Sequence, residues 1–106
     1  GGVVMGMGYS VMEGMSIDEG KVTTTNFGEN KIPSIRDIPP LKTVIQEFPV
    51  GNGPYGGMSI GEPPVVPTAA AIANAVHDAV GVRIKDLPIT AEKVLNALKA
   101  LTQRVT

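Results

Sequence analysis

With 106 residues, a net charge of −1 and 42% hydrophobic residues, the chain is predicted to form a single small domain over residues 1–106. This composition excludes an intrinsically disordered polyelectrolyte. The chain also lacks the positive electrostatic field that non-specific binding to nucleic acid or to an anionic membrane needs. Neither nucleic acid nor a membrane is therefore expected as a partner. The absence of cysteine excludes disulfides, thiolate metal ligands and a cysteine nucleophile.

An opening helix is predicted over residues 2–13, ending near Gly14. Its apolar residues recur at helical spacing: Val4, Met7, Val11 and Met12. Gly6 and Gly8 each lower the stability of an isolated helix by about 1 kcal/mol relative to alanine. A helix with this sequence therefore needs to pack against something that requires a close approach of its backbone.

A hairpin is predicted next, with Asp18-Glu19-Gly20 as a three-residue loop, because glycine allows a positive φ and β-branched residues flank the turn. Residues 26–41 read as an extended connection, and residues 43–48 are predicted to form a third strand. Residues 49–67 then hold five glycines and five prolines. Loops of this length in compact domains are usually functional or disordered, and the apolar residues here favour the functional interpretation.

Two helices are predicted at the C-terminal end. The first covers residues 68–80, starts after Pro67 and stops at Gly81. The second starts after Thr90, whose hydroxyl is predicted to cap it. Its apolar residues form an amphipathic stripe: Ala91, Val94, Leu95, Leu98 and Leu101. The whole order predicts an α+β fold with an opening helix, about three strands including a hairpin, a long Gly/Pro loop and two C-terminal helices.

Two motifs are interpreted without a catalytic role. Residues 51–56 match the pattern G-x-G-x-x-G, but the proline and glycines there oppose the helix that must receive a pyrophosphate, so a turn-rich loop is predicted. His77 is the single histidine and lies mid-helix beside Asp78, with no second histidine or cysteine to complete a metal site. It is interpreted as a structural or surface residue.

Glu62 is the only charged residue between Glu47 and His77. One interpretation is an acidic residue that is favoured electrostatically by the N-terminus of the following helix. The other is a general base at the end of a glycine-containing loop, where the backbone can approach a ligand closely. Both interpretations keep the carboxylate ionised, so the residue types alone leave them open.

Seven short segments, in this order and spacing, together resemble one known family. They are GVVMGMGY (2–9), NF (26–27), KIPSIRDIP (31–39), IGEPP (60–64), AAIANA (70–75), DAVGVRI (78–84) and LPIT (87–90). The chain resembles the C-terminal segment of the molybdopterin-binding (large) subunit of the xanthine dehydrogenase/aldehyde oxidase family. Each segment alone is a weak signal, and the ordered set is a strong one.

The resemblance implies an oxidoreductase whose molybdenum centre hydroxylates N-heterocycles or aldehydes, with water as the oxygen source. It places the general base on Glu62 and implies that glycines of the opening helix allow close packing around the cofactor. The implied cofactor-binding residues are Met5, Gly6, Met58, Ser59, Ile60 and Gly61. Many relatives carry glutamine in place of Met5 and lysine in place of Met58. Methionine can pack against a cofactor but supplies neither those hydrogen bonds nor that charge.

The same resemblance implies further properties of the chain. Its expected partners are the rest of the molybdenum subunit and the iron–sulfur and flavin subunits, and its expected location is the cytoplasm. No metal ligand is expected in the chain itself. As a fragment or remnant of the larger subunit, the chain alone is expected to be inactive and to bind no molybdopterin.

A function of another class is the alternative. The chain could act as a stand-alone, non-catalytic interaction module derived from that domain, with its methionine-rich start buried against a second copy or a partner. The methionines concerned are Met5, Met7, Met12 and Met15. A self-contained enzyme is not favoured, because the sequence offers neither a nucleophile–base pair nor a set of metal ligands.

Overall fold

Helix, hairpin and turn elements follow one another in the computed structural model, which describes residues 1–48, 51–58 and 60–105. The elements are helix α1 (Gly2–Val11), strands β1 (Ile17–Asp18) and β2 (Lys21–Val22), 3-10 turns at Pro54–Gly56 and Pro63–Val65, and helices α2 (Thr68–Val80) and α3 (Ala91–Val105). This order confirms the predicted α+β class, with an opening helix, a hairpin and two C-terminal helices.

Helix α1 forms despite its glycines because it packs closely on α2. A Cβ atom built at Gly6 would lie 2.5 Å from the Cβ of Thr68, so only glycine leaves room for the Thr68 side chain against the α1 backbone. Within α1 the buried residues are Gly6, Gly8 and Ser10. The Ser10 hydroxyl donates a hydrogen bond to the Gly6 carbonyl. The helix ends at Val11, two residues before the predicted end.

The predicted hairpin is confirmed, but its turn is shorter than expected. Ile17 pairs with Val22 and Asp18 pairs with Lys21 in an antiparallel register. The turn therefore contains two residues rather than three, and both have positive φ values, 45° for Glu19 and 80° for Gly20. Two positive φ values in a two-residue turn match the right-handed twist of the flanking strands.

The predicted third strand over residues 43–48 is wrong. Among the described residues, β1 and β2 form the only sheet, and residues 43–48 belong to no helix or strand. Val44 and Ile45 are 76% and 84% exposed. A β-branched run forms a strand where a neighbouring strand can pair with it, and no described strand does so here. In the predicted loop over 49–67, residues 49, 50 and 59 lie outside the described residues.

The ends of the C-terminal helices follow the local signals in the sequence. Gly81 adopts a left-handed conformation with φ of 75°, and its N–H donates to the His77 carbonyl oxygen at 2.8 Å. The Thr90 hydroxyl accepts a hydrogen bond from the Lys93 N–H at 3.2 Å. Both the predicted stop of α2 and the predicted cap of α3 are therefore confirmed.

Little of the described chain forms an apolar core. The buried hydrophobic residues are Val82 and Ile89, each 6% exposed. The Ile89 N–H donates to the Ser10 carbonyl oxygen at 2.6 Å, which ties the segment before α3 to α1. The predicted apolar stripe of α3 remains accessible, since Leu95 is 51% and Leu101 45% exposed. Among the described residues, no helix has both the length and the apolar character needed to cross a membrane.

Candidate functional site

Residues 62–65, here called the Glu62 corner, form a tight turn that carries the candidate base. The Val65 N–H donates to the Glu62 carbonyl oxygen at 2.9 Å, and the Val66 N–H donates to the Pro63 carbonyl oxygen at 3.2 Å. Pro63 and Pro64 each have a fixed φ. The backbone that carries Glu62 therefore has little conformational freedom.

Two side-chain hydroxyls attach the corner to the two packed helices. The Tyr9 hydroxyl of α1 donates to the Val65 carbonyl oxygen at 3.1 Å. The Thr68 Oγ1 of α2 donates to the Pro64 carbonyl oxygen at 2.7 Å. A Cβ atom at Gly2 would lie 3.0 Å from the Cβ of Pro64, so the start of α1 also lies against the corner. Both helices thus determine where the corner sits.

Tyr9 and Thr68 were not identified as functional candidates by sequence reasoning. The Tyr9 hydroxyl binds an oxygen 56 residues further along the chain, and no local pattern contains that information. The available signals were weak. Tyr9 is one of two tyrosines in the chain, and Thr68 follows directly after the proline that precedes α2.

The Glu62 carboxylate is exposed and has no partner among the described residues. No hydrogen bond or ion pair joins its oxygens to any side chain or backbone group in the described ranges 1–48, 51–58 and 60–105. Glu62 occupies the position just before the 3-10 turn Pro63–Val65, and its side chain does not cap that turn. A carboxylate in this setting is free to accept a proton from a molecule that enters the site.

Met5 and Gly6 are placed differently although they are neighbours in sequence. Met5 is 51% exposed and lies one turn before Tyr9 on the same side of α1. Gly6 is buried beneath Thr68. A Cβ atom at Gly8 would likewise come within 2.9 Å of the ring of Pro33. The glycines of α1 therefore accommodate other parts of the chain.

The residues before the corner are open to solvent. Met58 is 67% and Ile60 82% exposed, and an added Cβ at Gly61 would meet no atom within 4 Å. Neither the Ile60 N–H nor the Gly61 N–H donates to a described residue. Met58 shares a groove with Phe48 and Tyr55. Ser59, the remaining predicted contact, lies outside the described residues.

An apolar groove of about 660 Å³ runs between α1 and α2 and reaches the corner at Pro64. Its lining residues are Val3, Val4, Met7, Val11, Pro39, Leu41, Pro64, Pro67, Thr68, Ala71, Ile72 and Ala75. Met7 is the one methionine of the predicted interaction face that lines this groove. Met5 and Met15, 51% and 65% exposed, lie outside it.

The two motifs without a predicted catalytic role stay apart from the corner's chemistry. Residues 54–56 form a short 3-10 turn, so the G-x-G-x-x-G pattern does not open an α-helix. His77 is exposed in the last turn of α2. Within the described part of the chain, no group of three or more His, Asp or Glu residues is arranged to hold a metal ion.

Comparison with known proteins relates this chain to larger proteins. A family model described as a molybdopterin cofactor-binding domain matches residues 1–39. The chain is 42% identical over 96 residues to a xanthine dehydrogenase molybdenum-binding subunit of Escherichia coli O157:H7, covering 89% of this chain and 13% of that protein. It is 40% identical over 101 residues to an aldehyde oxidoreductase of Megalodesulfovibrio gigas, covering 94% of this chain and 11% of the relative.

A solved structure agrees with these sequence matches. The crystal structure of quinoline 2-oxidoreductase from Pseudomonas putida 86 superposes with a TM-score of 0.83 and 26% sequence identity, covering 92% of this chain and 13% of that one. The chain therefore spans 11–13% of the length of these relatives.

Proposed function

The chain is homologous to the molybdenum-binding subunits of the xanthine dehydrogenase/aldehyde oxidase family, and we propose that it supplies the general base and one wall of the molybdopterin pocket in such a subunit. The observation that carries this proposal is the Glu62 corner. An exposed carboxylate without a partner among the described residues sits on a backbone that both α1 and α2 hold in place.

The groups around the corner fit the edge of a pterin cofactor. Ile60 and Gly61 offer backbone N–H donors that no described residue uses, and Met5 and Met58 offer exposed thioether side chains for packing. Ser59 completes the proposed contact set, and Gly6 contributes through the close packing of α1. The bound molybdenum cofactor would supply the redox chemistry that adds an oxygen atom from water to a substrate carbon. We assign no metal ligand to this chain.

Glu62 would act on the proton of the attacking oxygen. One carboxylate oxygen accepts that proton, which makes the oxygen a better nucleophile toward the substrate carbon. Such a base must be ionised and must reach its proton without first breaking another strong interaction. Glu62 meets the second requirement because its carboxylate is not tied up by any described group.

The proposed substrates are N-heterocycles or aldehydes. The names of the relatives support these classes, since they include a xanthine dehydrogenase, an aldehyde oxidoreductase and a quinoline 2-oxidoreductase. The proposed partners are the rest of the molybdenum subunit and the iron–sulfur and flavin subunits that would take up the electrons, in the cytoplasm. We propose that the chain on its own, as a fragment of that subunit, is inactive and binds no molybdopterin.

Substitution of Glu62→Gln in a full-length molybdenum subunit carrying this sequence tests the base assignment. The amide keeps the size of the side chain but cannot accept the proton, so hydroxylation should fall by roughly 100-fold to 10,000-fold. Molybdenum and pterin contents should stay at the wild-type level. Glu19→Gln, an exposed carboxylate in the hairpin turn, is the matched control and should leave turnover unchanged. Retained turnover in Glu62→Gln would refute the assignment.

The apolar surface favours one second candidate function, a non-catalytic interaction module that assembles with a copy of itself. The groove between α1 and α2 and the exposed side chains of Met5 and Met15 support this alternative. The two candidates differ in what covers this surface. In the first it is the remainder of the same subunit, and in the second it is another molecule of this chain.

A further inference from the structure

Tyr9 and Thr68 carry an additional role at the Glu62 corner. We propose that they are positioning residues, whose hydroxyls hold the corner so that the Glu62 carboxylate stays where its proton transfer requires it. This inference rests on the proposed function of Glu62 as the base. It concerns side chains of α1 and α2 that do not themselves touch a reacting atom.

No other group of the described residues orients the Glu62 side chain. Its carboxylate makes no hydrogen bond or ion pair with the described residues. The location of the side chain therefore depends on the backbone to which it is attached. A catalytic group held loosely loses much of the advantage of proximity, because reaction requires a narrow range of distances and angles.

The backbone of the corner is held at two consecutive carbonyl oxygens, each by a hydroxyl from a different helix. Thr68 Oγ1 holds the Pro64 carbonyl at 2.7 Å, and the Tyr9 hydroxyl holds the Val65 carbonyl at 3.1 Å. Between these anchors and Glu62 lie two prolines, whose φ angles cannot change appreciably. A displacement at Val65 is therefore passed along a stiff segment to the base.

Two conservative substitutions separate the contribution of these hydrogen bonds from that of side-chain packing. The ring of phenylalanine has the same shape as that of tyrosine, so Tyr9→Phe removes the bond to Val65 and keeps the ring. Thr68→Val similarly preserves the volume next to Gly6 and removes the donor to Pro64. Loss of one such bond corresponds to roughly a threefold to tenfold change in the occupancy of the held state.

The experiment uses the full-length molybdenum subunit with its cofactor bound. In Tyr9→Phe we expect kcat to fall about threefold to tenfold, with a smaller change in KM and with wild-type molybdenum and pterin contents. Thr68→Val should behave in the same way. One matched control is Tyr55→Phe, which alters the only other tyrosine. The other is Thr102→Val, because the native Thr102 Oγ1 also donates to the carbonyl oxygen four residues earlier, at 3.0 Å. Both controls should keep wild-type kcat.

Amide hydrogen exchange gives a readout that does not depend on activity. The N–H groups of Val65 and Val66 donate to carbonyls inside the corner, so their exchange should accelerate by about the same factor in Tyr9→Phe and should not change in Tyr55→Phe. Unchanged exchange would overturn the proposal, and so would accelerated exchange with an unaltered kcat. Failure of the proposed function is seen separately, as full turnover in Glu62→Gln.

Discussion

Gly6 and Gly61 show how differently two glycines of one proposed site are used. A Cβ atom at Gly6 would lie 2.5 Å from the Cβ of Thr68, whereas one at Gly61 would meet no atom within 4 Å. Gly6 is required because the Thr68 side chain of α2 packs directly against the α1 backbone at this position. These two helices carry the hydroxyls of Tyr9 and Thr68 that hold the corner. The residue thus supports the Glu62 corner indirectly, through the packing of the two helices that hold it.

Gly6→Ala should therefore destabilise the chain. The added methyl group must push Thr68 aside or separate the helices, and overpacking of this kind costs about 1–3 kcal/mol. Urea unfolding followed by far-ultraviolet circular dichroism measures the change in the free energy of unfolding. Gly61→Ala is the matched control and should change that free energy by less than about 0.5 kcal/mol. Equal stability of the two variants would contradict the close packing at Gly6.

Among the elements, α1 and α3 are stabilised in different ways. Helix α1 is poor in helix-favouring residues and depends on its contacts with α2 and the Glu62 corner. Helix α3 has no buried residue among its described side chains at 91–104. It depends instead on local interactions, namely the Thr90 cap and an ion pair of 2.6 Å between Lys93 and Asp86. Changes in these local groups should act mainly on α3.

Thr90→Ala should weaken the start of α3. The hydroxyl satisfies the Lys93 N–H, which has no partner inside the helix, and loss of such a cap costs about 1 kcal/mol. Hydrogen exchange of amides in the first turn of α3 should accelerate, while amides of α1 should not respond. Thr102→Ala removes an exposed hydroxyl near the C-terminal end of the same helix and serves as the control. An unchanged first turn in Thr90→Ala would argue against the cap.

The stabilisation provided by the ion pair between Lys93 of α3 and Asp86 depends on pH. The hydrogen bond and the charge of Lys93 hold the pKa of Asp86 below its ordinary value. The pair therefore contributes at pH values above the ordinary aspartate pKa, and the contribution is lost as the pH falls through the lowered one. Lys93→Met should raise the Asp86 midpoint in a carboxyl NMR titration.

Asp37 provides an internal reference for that titration. Hydrogen bonds from the Ser34 hydroxyl and from the Ser34 backbone N–H lower the pKa of Asp37. Because Lys93 takes no part in these bonds, the Asp37 midpoint should stay in place in Lys93→Met. A shift of both midpoints would indicate a wider change in the fold, and a shift of neither would disprove the role of Lys93.

At the scale of the whole molecule, apolar surface exceeds apolar core. The radius of gyration is 18.2 Å, whereas a compact chain of this length would have about 13 Å. Among the described residues, Val82 and Ile89 are the buried hydrophobic ones, while large apolar residues such as Ile35 and Ile45 are 85% and 84% exposed. A surface of this kind favours a covering partner, which both candidate functions provide.

The isolated chain should consequently associate and bind hydrophobic dyes. Size-exclusion chromatography with light scattering should give a mass above the 11.0 kDa of one chain, and an apolar dye should fluoresce in its presence. In the full-length molybdenum subunit the same surface should be covered and dye binding per chain should fall. A strictly monomeric isolated chain without affinity for the dye would count against an exposed apolar face.

The features that could be predicted from the sequence are those governed by neighbouring residues. Gly81 ends α2 and Thr90 caps α3 because both act within one helical turn. The strand expected over residues 43–48 required a partner strand, which local β-propensity cannot supply. The anchoring of Val65 by Tyr9 was equally inaccessible, because it depends on how α1 and α2 meet. Glu62 could be singled out as an isolated charge, but the backbone that holds it could not.

The bond between Tyr9 and Val65 also bears on the order in which the protein is made. The two residues are 56 positions apart, so at synthesis rates of 5–20 residues per second Tyr9 waits about 3–11 s for its partner to be translated. Throughout that interval neither α2 nor the corner exists to cover the apolar side of α1. Helix α1 therefore reaches its final packing only after the residues of the corner and of α2 have been translated.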